Sequence, residues 1–232
     1  MARGVIGGLW LAAVAFLAWC TTAGAVPGDF VSAQYRDGTL PPIQIRAVGG
    51  GEVFLEARVD EQGGVHEVTV LRATPPFTEP VVSAVRSWRL TPAEDDWYAS
   101  PGEGLHVHEP RAVASAVLVA AVFRGPTLNA PTLGESPRDV AVPSGESPFP
   151  ISTAIPPYPP NALADGVVLT EVRVGFDGRV EAVRVVRSAP PFDDASVKAA
   201  RGWVFRPGRV RGRLVTTLAY IVFAFRQPVT GR

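Results

Sequence analysis

Residues 166–207 read GVVLTEVRVGFDGRVEAVRVVRSAPPFDDASVKAARGWVFRP, and residues 51–92 read GEVFLEARVDEQGGVHEVTVLRATPPFTEPVVSAVRSWRLTP. Laid over one another without a gap, a shift of about 115 residues, the two stretches agree at about 18 of 42 positions. Glu56, Arg58, Val59 and Gly63 match Glu171, Arg173, Val174 and Gly178. Val65, Val68 and Val70 match Val180, Val183 and Val185. Pro75-Pro76-Phe77 returns as Pro190-Pro191-Phe192, and Arg86 and Trp88 return as Arg201 and Trp203. Such self-similarity fixes the domain count before any element is assigned.

Working outward in the second copy, Val168, Thr170, Val172, Val174 and Phe176 share one strand face, with Glu171 and Arg173 on the other. Asp177-Gly178 supplies the positive φ angles of a tight turn, and Val180–Arg187 returns antiparallel. The valines change parity between Val180 and Val183, which predicts a bulge near Glu181. Pro190-Pro191 ends that strand, and Asp193 stands where a helix N-cap belongs. Phe192, Ala195, Ala199 and Trp203 then form the apolar stripe of a helix of about three turns. Pro207-Gly208 stops it, and Leu214–Phe225 reads as a third strand, too short to cross a bilayer as a helix. That strand is apolar on both faces, so one side needs cover from the linker, the other copy or another chain.

The expected fold is therefore α+β: two tandem β-β-α-β units, each a three-stranded antiparallel sheet carrying one helix. The first copy ends in the apolar run Ala112–Phe123 and holds an extra loop from Ala93 to Arg111. Between the copies, Gly125–Pro157 is rich in Pro, Ser and Gly, a linker composition. The first 25 residues have the form of a secretory signal: Arg3, an apolar stretch from Val5 to Trp19, and Ala23-Gly24-Ala25 as a cleavage site. Cys20 is the sole cysteine, and cleavage after Ala25 leaves a mature chain without thiols. The resulting division is signal peptide 1–25, N-terminal segment 26–45, first copy 46–124, linker 125–157 and second copy 158–226.

A net charge of zero leaves no electrostatic footprint for nucleic acid or an anionic membrane surface. His106 and His108, with Glu103 and Glu109, have the residue types of a metal site but read as a solvated loop. Asp193 and Asp194 are explained by the start of a helix, and no nucleophile motif is present. No cofactor is expected, and an enzyme is not.

The second copy resembles the C-terminal domain of the TonB family. The resemblance runs through Tyr158-Pro159, Ala162, Gly166, the Val172 and Val174 strand, Asp177-Gly178, the valines at 180, 183 and 185, Ser188, Phe192-Asp193, Ala195, Ala199, Trp203, Phe205 and Pro207. It implies a periplasmic domain that grips an extended segment of an outer-membrane TonB-dependent receptor by adding it to a sheet edge. Carried over, Tyr158, Pro159 and the last strand, with Leu214, Thr216, Leu218, Tyr220 and Val222, form the receptor-binding surface, and Arg211 and Arg213 flank it. The first copy lacks Tyr-Pro, has Gln62-Gly63 for Asp-Gly and Thr78 for Asp193, and so resembles a degenerate copy. The implied function is receptor binding in support of transmembrane transport, with a dimer as one oligomeric option. Two alternatives stand beside it. If the N-terminal segment is retained, the chain is an anchored energy transducer partnered by an inner-membrane proton-driven complex. If no receptor is bound, it is an envelope scaffold.

Overall fold

The computed structural model describes residues 30–45, 47, 49–95, 110–126 and 138–228. The signal segment and the histidine pair of the extra loop lie outside these residues. In the first half the elements are β1 (Phe30–Val31), β2 (Gln34–Asp37), β3 (Gly51–Val59), β4 (Val65–Ala73), α1 (Thr78–Arg86), β5 (Arg89–Thr91), β6 (Ala93–Asp95), β7 (Arg111–Val113) and β8 (Ser115–Arg124). In the second they are β9 (Arg138–Asp139), β10 (Phe149–Ser152), β11 (Gly166–Val174), β12 (Val180–Arg187), α2 (Asp193–Arg201), β13 (Val204–Arg206), β14 (Arg209–Val210), β15 (Arg213–Leu214) and β16 (Thr217–Phe225).

The hairpins form for the reasons their sequences suggest. Gly63 and Gly178 have φ of 82° and 78°, values that disfavour residues with a Cβ. A Cβ on Gly178 would also stand 1.9 Å from the carbonyl oxygen of Phe205, whose own N–H donates to the Gly178 carbonyl at 2.8 Å. The turn and the helix exit are thus locked together, and Gly63 meets Leu90 in the same way. Arg173 faces Ala182 while Val174 faces Val180, so the extra residue of the bulge is Glu181. Asp193 is a correction: it is the first residue of α2, not its N-cap, which is Phe192. Its carboxylate reaches back to accept the Ala189 N–H at 2.9 Å. Thr78 does the same for the Thr74 N–H at 3.0 Å, so the change from Asp to Thr keeps the bond.

The expected pair of three-stranded sheets is also corrected. A single seven-stranded sheet runs β12-β11-β16-β8-β3-β4-β9. Its middle is the parallel ladder between β16 and β8, from Ala219 opposite Leu118 to Phe225 opposite Arg124. Every other pairing in the sheet is antiparallel. Placing the two halves side by side through parallel strands turns one of them over, so the helices cover opposite faces. Alternate residues show this. Val117, Val119, Ala121, Tyr220 and Val222 pack in one cluster with Val81, Val85 and Trp88; Leu118, Ala120, Val122, Ala219, Ile221 and Phe223 pack in the other with Ala199, Ala200 and Trp203. Each core therefore draws on both halves, and the two-faced apolarity of the last strands is what a strand buried on both sides requires.

The stretch expected as a linker holds structure as well. β10 pairs with β13, just as β2 pairs with β5 at the 115-residue shift. Trp88 Nε1 donates to the Thr39 carbonyl and Trp203 Nε1 to the Ala154 carbonyl, again at that shift. Each indole is thus clasped by the segment that precedes its half. β6 and β7 pair with one another, and β6 with β1, so the ends of the extra loop form strands.

Candidate functional site

Strand addition needs a row of unpaired backbone groups, so the candidate site is sought at the margins of the sheet. The last strand offers none. β16 is paired along Gly166–Val174 on one side and with β8 on the other, and all its residues but Leu218 are buried. The expectation that Leu218, Tyr220 and Val222 line an open edge is overturned, because the chain's own first half occupies that place. Leu214 lies in the small β14–β15 hairpin, whose turn places Arg211 and Gly212 at φ 50° and 79°. Arg211 reaches Asp95 of the first half at 3.4 Å, so it ties the halves together and flanks no open strand. Arg213 lies in the same hairpin, opposite Val210, and Thr216 lines a cleft of about 360 Å³ between β1 and the β11–β12 hairpin.

Tyr220 has a different task from the one expected. Its hydroxyl accepts the Tyr35 N–H at 2.7 Å and lies 3.1 Å from both the Ala33 carbonyl and Glu171 Oε2. Burial, and then the Glu171 charge, push its pKa far above the ordinary tyrosine value. Glu171 is held from the other side by two hydrogen bonds from Arg184, at 2.9 and 3.1 Å. The N-terminal segment is thereby pinned across the second half through one phenol.

Tyr158 and Pro159 stand apart from all of this, at the far end of α2. The Tyr158 hydroxyl donates to the Ala164 carbonyl at 2.9 Å, and its ring meets Phe192 edge-on at 5.6 Å. Burial and the charge of Asp165 raise its pKa, while the bond to Ala164 works the other way. Pro159 is buried, and its carbonyl accepts the Ala162 N–H. Together with Pro157, Pro190 and Asp193 they line a shallow groove. The structure does not bring them together with Leu214–Val222 as one surface.

The true margins are β12 at one side and, at the other, β4 with the short β9 laid on its end. β12 pairs with β11 and, among the described residues, with no other strand. Its outward side chains Glu181, Arg184 and Arg187 are exposed. β4 is the matching strand of the first half, and its end is covered: β9 sets Asp139 opposite Arg72 and Arg138 opposite Ala73. Burial works against the charge of Arg72, yet the hydrogen bond and charge of Asp139, joined by Glu52, outweigh it and raise its pKa.

Two buried carboxylates escaped the sequence reading. Glu56 is 4% exposed and accepts Ser144 Oγ at 2.8 Å and Ser147 Oγ at 2.6 Å. Glu52 accepts Thr153 Oγ1 at 2.7 Å and pairs with Arg72 at 3.2 Å. Arg58 meets Glu146 at 2.9 Å. Glu52, Glu56 and Arg58 are charged residues on one face of an otherwise apolar strand, which was the available signal. Together they fasten residues 144–153 over the first half. Among the described residues no group of three His, Cys, Asp or Glu side chains gathers in the manner of a metal site.

A family model described as the C-terminal domain of the Gram-negative bacterial TonB protein matches residues 155–226. The search of curated proteins gives no match for the chain. The matched span takes in the Tyr-Pro stretch, both strands of the Asp-Gly hairpin, α2 with its Trp-x-Phe-x-Pro exit, and the buried last strand. Residues 155–226 are thus similar to the TonB C-terminal domain, and the first half of the chain completes the sheet to which they contribute.

Proposed function

We propose that this is a periplasmic TonB-like protein that supports transport across the outer membrane by adding an extended receptor segment to β12. One observation carries the reading: in the TonB-type domain the last strand is paired on both sides, whereas β12, among the described residues, is paired on one side only. Main-chain hydrogen bonds would supply the affinity, at about 0.5–1.5 kcal/mol each, less the cost of ordering the segment. A short segment would then bind in the micromolar to millimolar range, which suits a contact made and released during transport.

The test is hydrogen–deuterium exchange with peptides from the N-terminal plugs of TonB-dependent receptors. Protection should rise along Val180–Arg187 and stay unchanged along Thr217–Phe225. Peptides that bind without altering exchange in Val180–Arg187, or that do not bind at millimolar concentration, would reject the reading.

A second reading is favoured by the same sealed ladder. In a scaffold with no receptor, the first half would serve to close the edge that the TonB-type domain would otherwise expose, removing an aggregation hazard. Failure of every receptor peptide, with the sheet intact, is the outcome that scaffold predicts.

A further inference from the structure

We infer that the cleft between β1 and the β11–β12 hairpin binds a small organic acid with an apolar body, its carboxylate held by Arg173 and Arg184. Such a site is independent of strand addition at β12, because it uses side chains on the sheet face and no backbone of the sheet edge. Its floor draws on two rows of one face. Ala182, Arg173 and Leu218 stand opposite one another across β12, β11 and β16, and Arg184 stands opposite Glu171 in the next row. Its wall is the N-terminal segment, through Phe30, Val31 and Gln34, and the space enclosed is about 360 Å³. Clefts of that size take small molecules.

In the first half a carboxylate of the chain itself meets the matching arginine. There the strap over the sheet sends Ser147 Oγ to Glu56 at 2.6 Å and the Glu146 carboxylate to Arg58 at 2.9 Å. The N-terminal segment is the counterpart of that strap: Gln34 pairs with Thr91 and Phe149 with Arg206, one register at the 115-residue shift. Counted back from these pairs, Ser147 matches Ser32 and Glu146 matches Val31. Ser32 keeps a contact with the sheet, its hydroxyl accepting the Leu218 N–H at 3.1 Å. Val31 keeps no charge. Where Arg58 receives a carboxylate, Arg173 shares its cleft with a valine.

The chemistry of the lining sets the class of ligand. Arg173 leans on Glu181 of its own hairpin at 3.2 Å, and both side chains are largely exposed. Arg184 spends its Nε and one Nη on Glu171, and a guanidinium has further N–H donors beyond these. Two arginines against one glutamate leave the lining at a net charge of +1. Phe30, Val31 and Leu218 add apolar surface beside that charge, so an acid with an aromatic or branched body fits better than a bare inorganic anion. The acid just upstream, Asp29, matches Ser144 and not Glu146, and lies outside the described residues.

The probe is 2-naphthoate, titrated into the isotopically labelled full chain beside its uncharged carboxamide. The acid should bind with roughly millimolar affinity, as expected of so small a ligand. It should shift the Nε–H signals of Arg173 and Arg184 and the amides of Ser32 and Leu218. Its preference over the amide should be about two- to fivefold, a gap set by one exposed ion pair, and should shrink at high salt. Arg173→Gln should close the gap. Val31→Glu, which grafts the carboxylate of the first half, should weaken the acid more than Val31→Gln does. Equal binding of acid and amide, a preference that survives Arg173→Gln, or equal effects of the two Val31 variants would overturn the assignment. So would the lack of any shift at these residues in the unaltered chain; binding gained only in Asp29→Asn would then name Asp29 as the group that fills the cleft.

Discussion

The two halves share one plan but are finished differently at their outer margins and over their faces. In the first half, buried Glu56 binds the hydroxyls of Ser144 and Ser147 and β9 covers the end of β4. In the second, the matching Glu171 turns to Arg184 and Tyr220, and β12 has no such cover among the described residues. The carboxylate is kept and its partner is changed. A repeated scaffold thus separates what the fold needs, present in both halves, from what one half adds: a strap held by serines in the first, an open margin in the second.

Removing a shared support breaks the comparison most severely. Trp203 is fully buried beside Phe54 of the other half, with ring centroids 6.3 Å apart. Trp203→Ala should cost about 3–5 kcal/mol. Because both cores draw on both halves, denaturant should unfold the variant in one transition, with no separately melting half. Two resolved transitions would mean that the halves are independent.

A smaller effect sharpens the contrast between the matched carboxylates. Glu56→Ala leaves the buried Ser147 hydroxyl and the exposed Ser144 hydroxyl without their acceptor and should cost about 1–3 kcal/mol, most of it at Ser147. Glu171→Ala loses a pair with Arg184, which is 60% exposed, together with one bond from Tyr220, and should cost about 1 kcal/mol. Chemical denaturation of both variants measures the difference. Equal losses would show that the strap contributes nothing beyond what the N-terminal segment does.

Much of this was legible in the sequence. The shift of about 115 residues, the Asp-Gly hairpin, the bulge at Glu181 and the Trp-bearing helix exit are local patterns, set by neighbours within a few residues of each other. The pairing of β8 with β16 is not local. It joins strands about 100 residues apart, and an apolar run such as Leu218–Phe225 shows only that both faces are covered, not by what. Composition misled at the linker. Proline and serine suggested coil, yet Ile155-Pro156-Pro157 follows β10 at the same shift as Leu40-Pro41-Pro42 follows β2. Extending the repeat upstream of Gly51 would have marked residues 149–155 as part of the second half. For the candidate site, family resemblance pointed at the last strand, and the strand that is open could be identified only once the sheet order was known.

Residue-resolved native-state hydrogen exchange of the unliganded chain tests the shared sheet most directly. Interior amides of Val117–Phe123 and Leu218–Ala224 should exchange together, with one opening free energy equal to that of global unfolding, while outward-facing amides of Val180–Arg187 exchange orders of magnitude faster. Should the amides of Leu218–Ala224 exchange as readily as those of β12, the parallel seam between the halves does not exist and the last strand is the open edge after all.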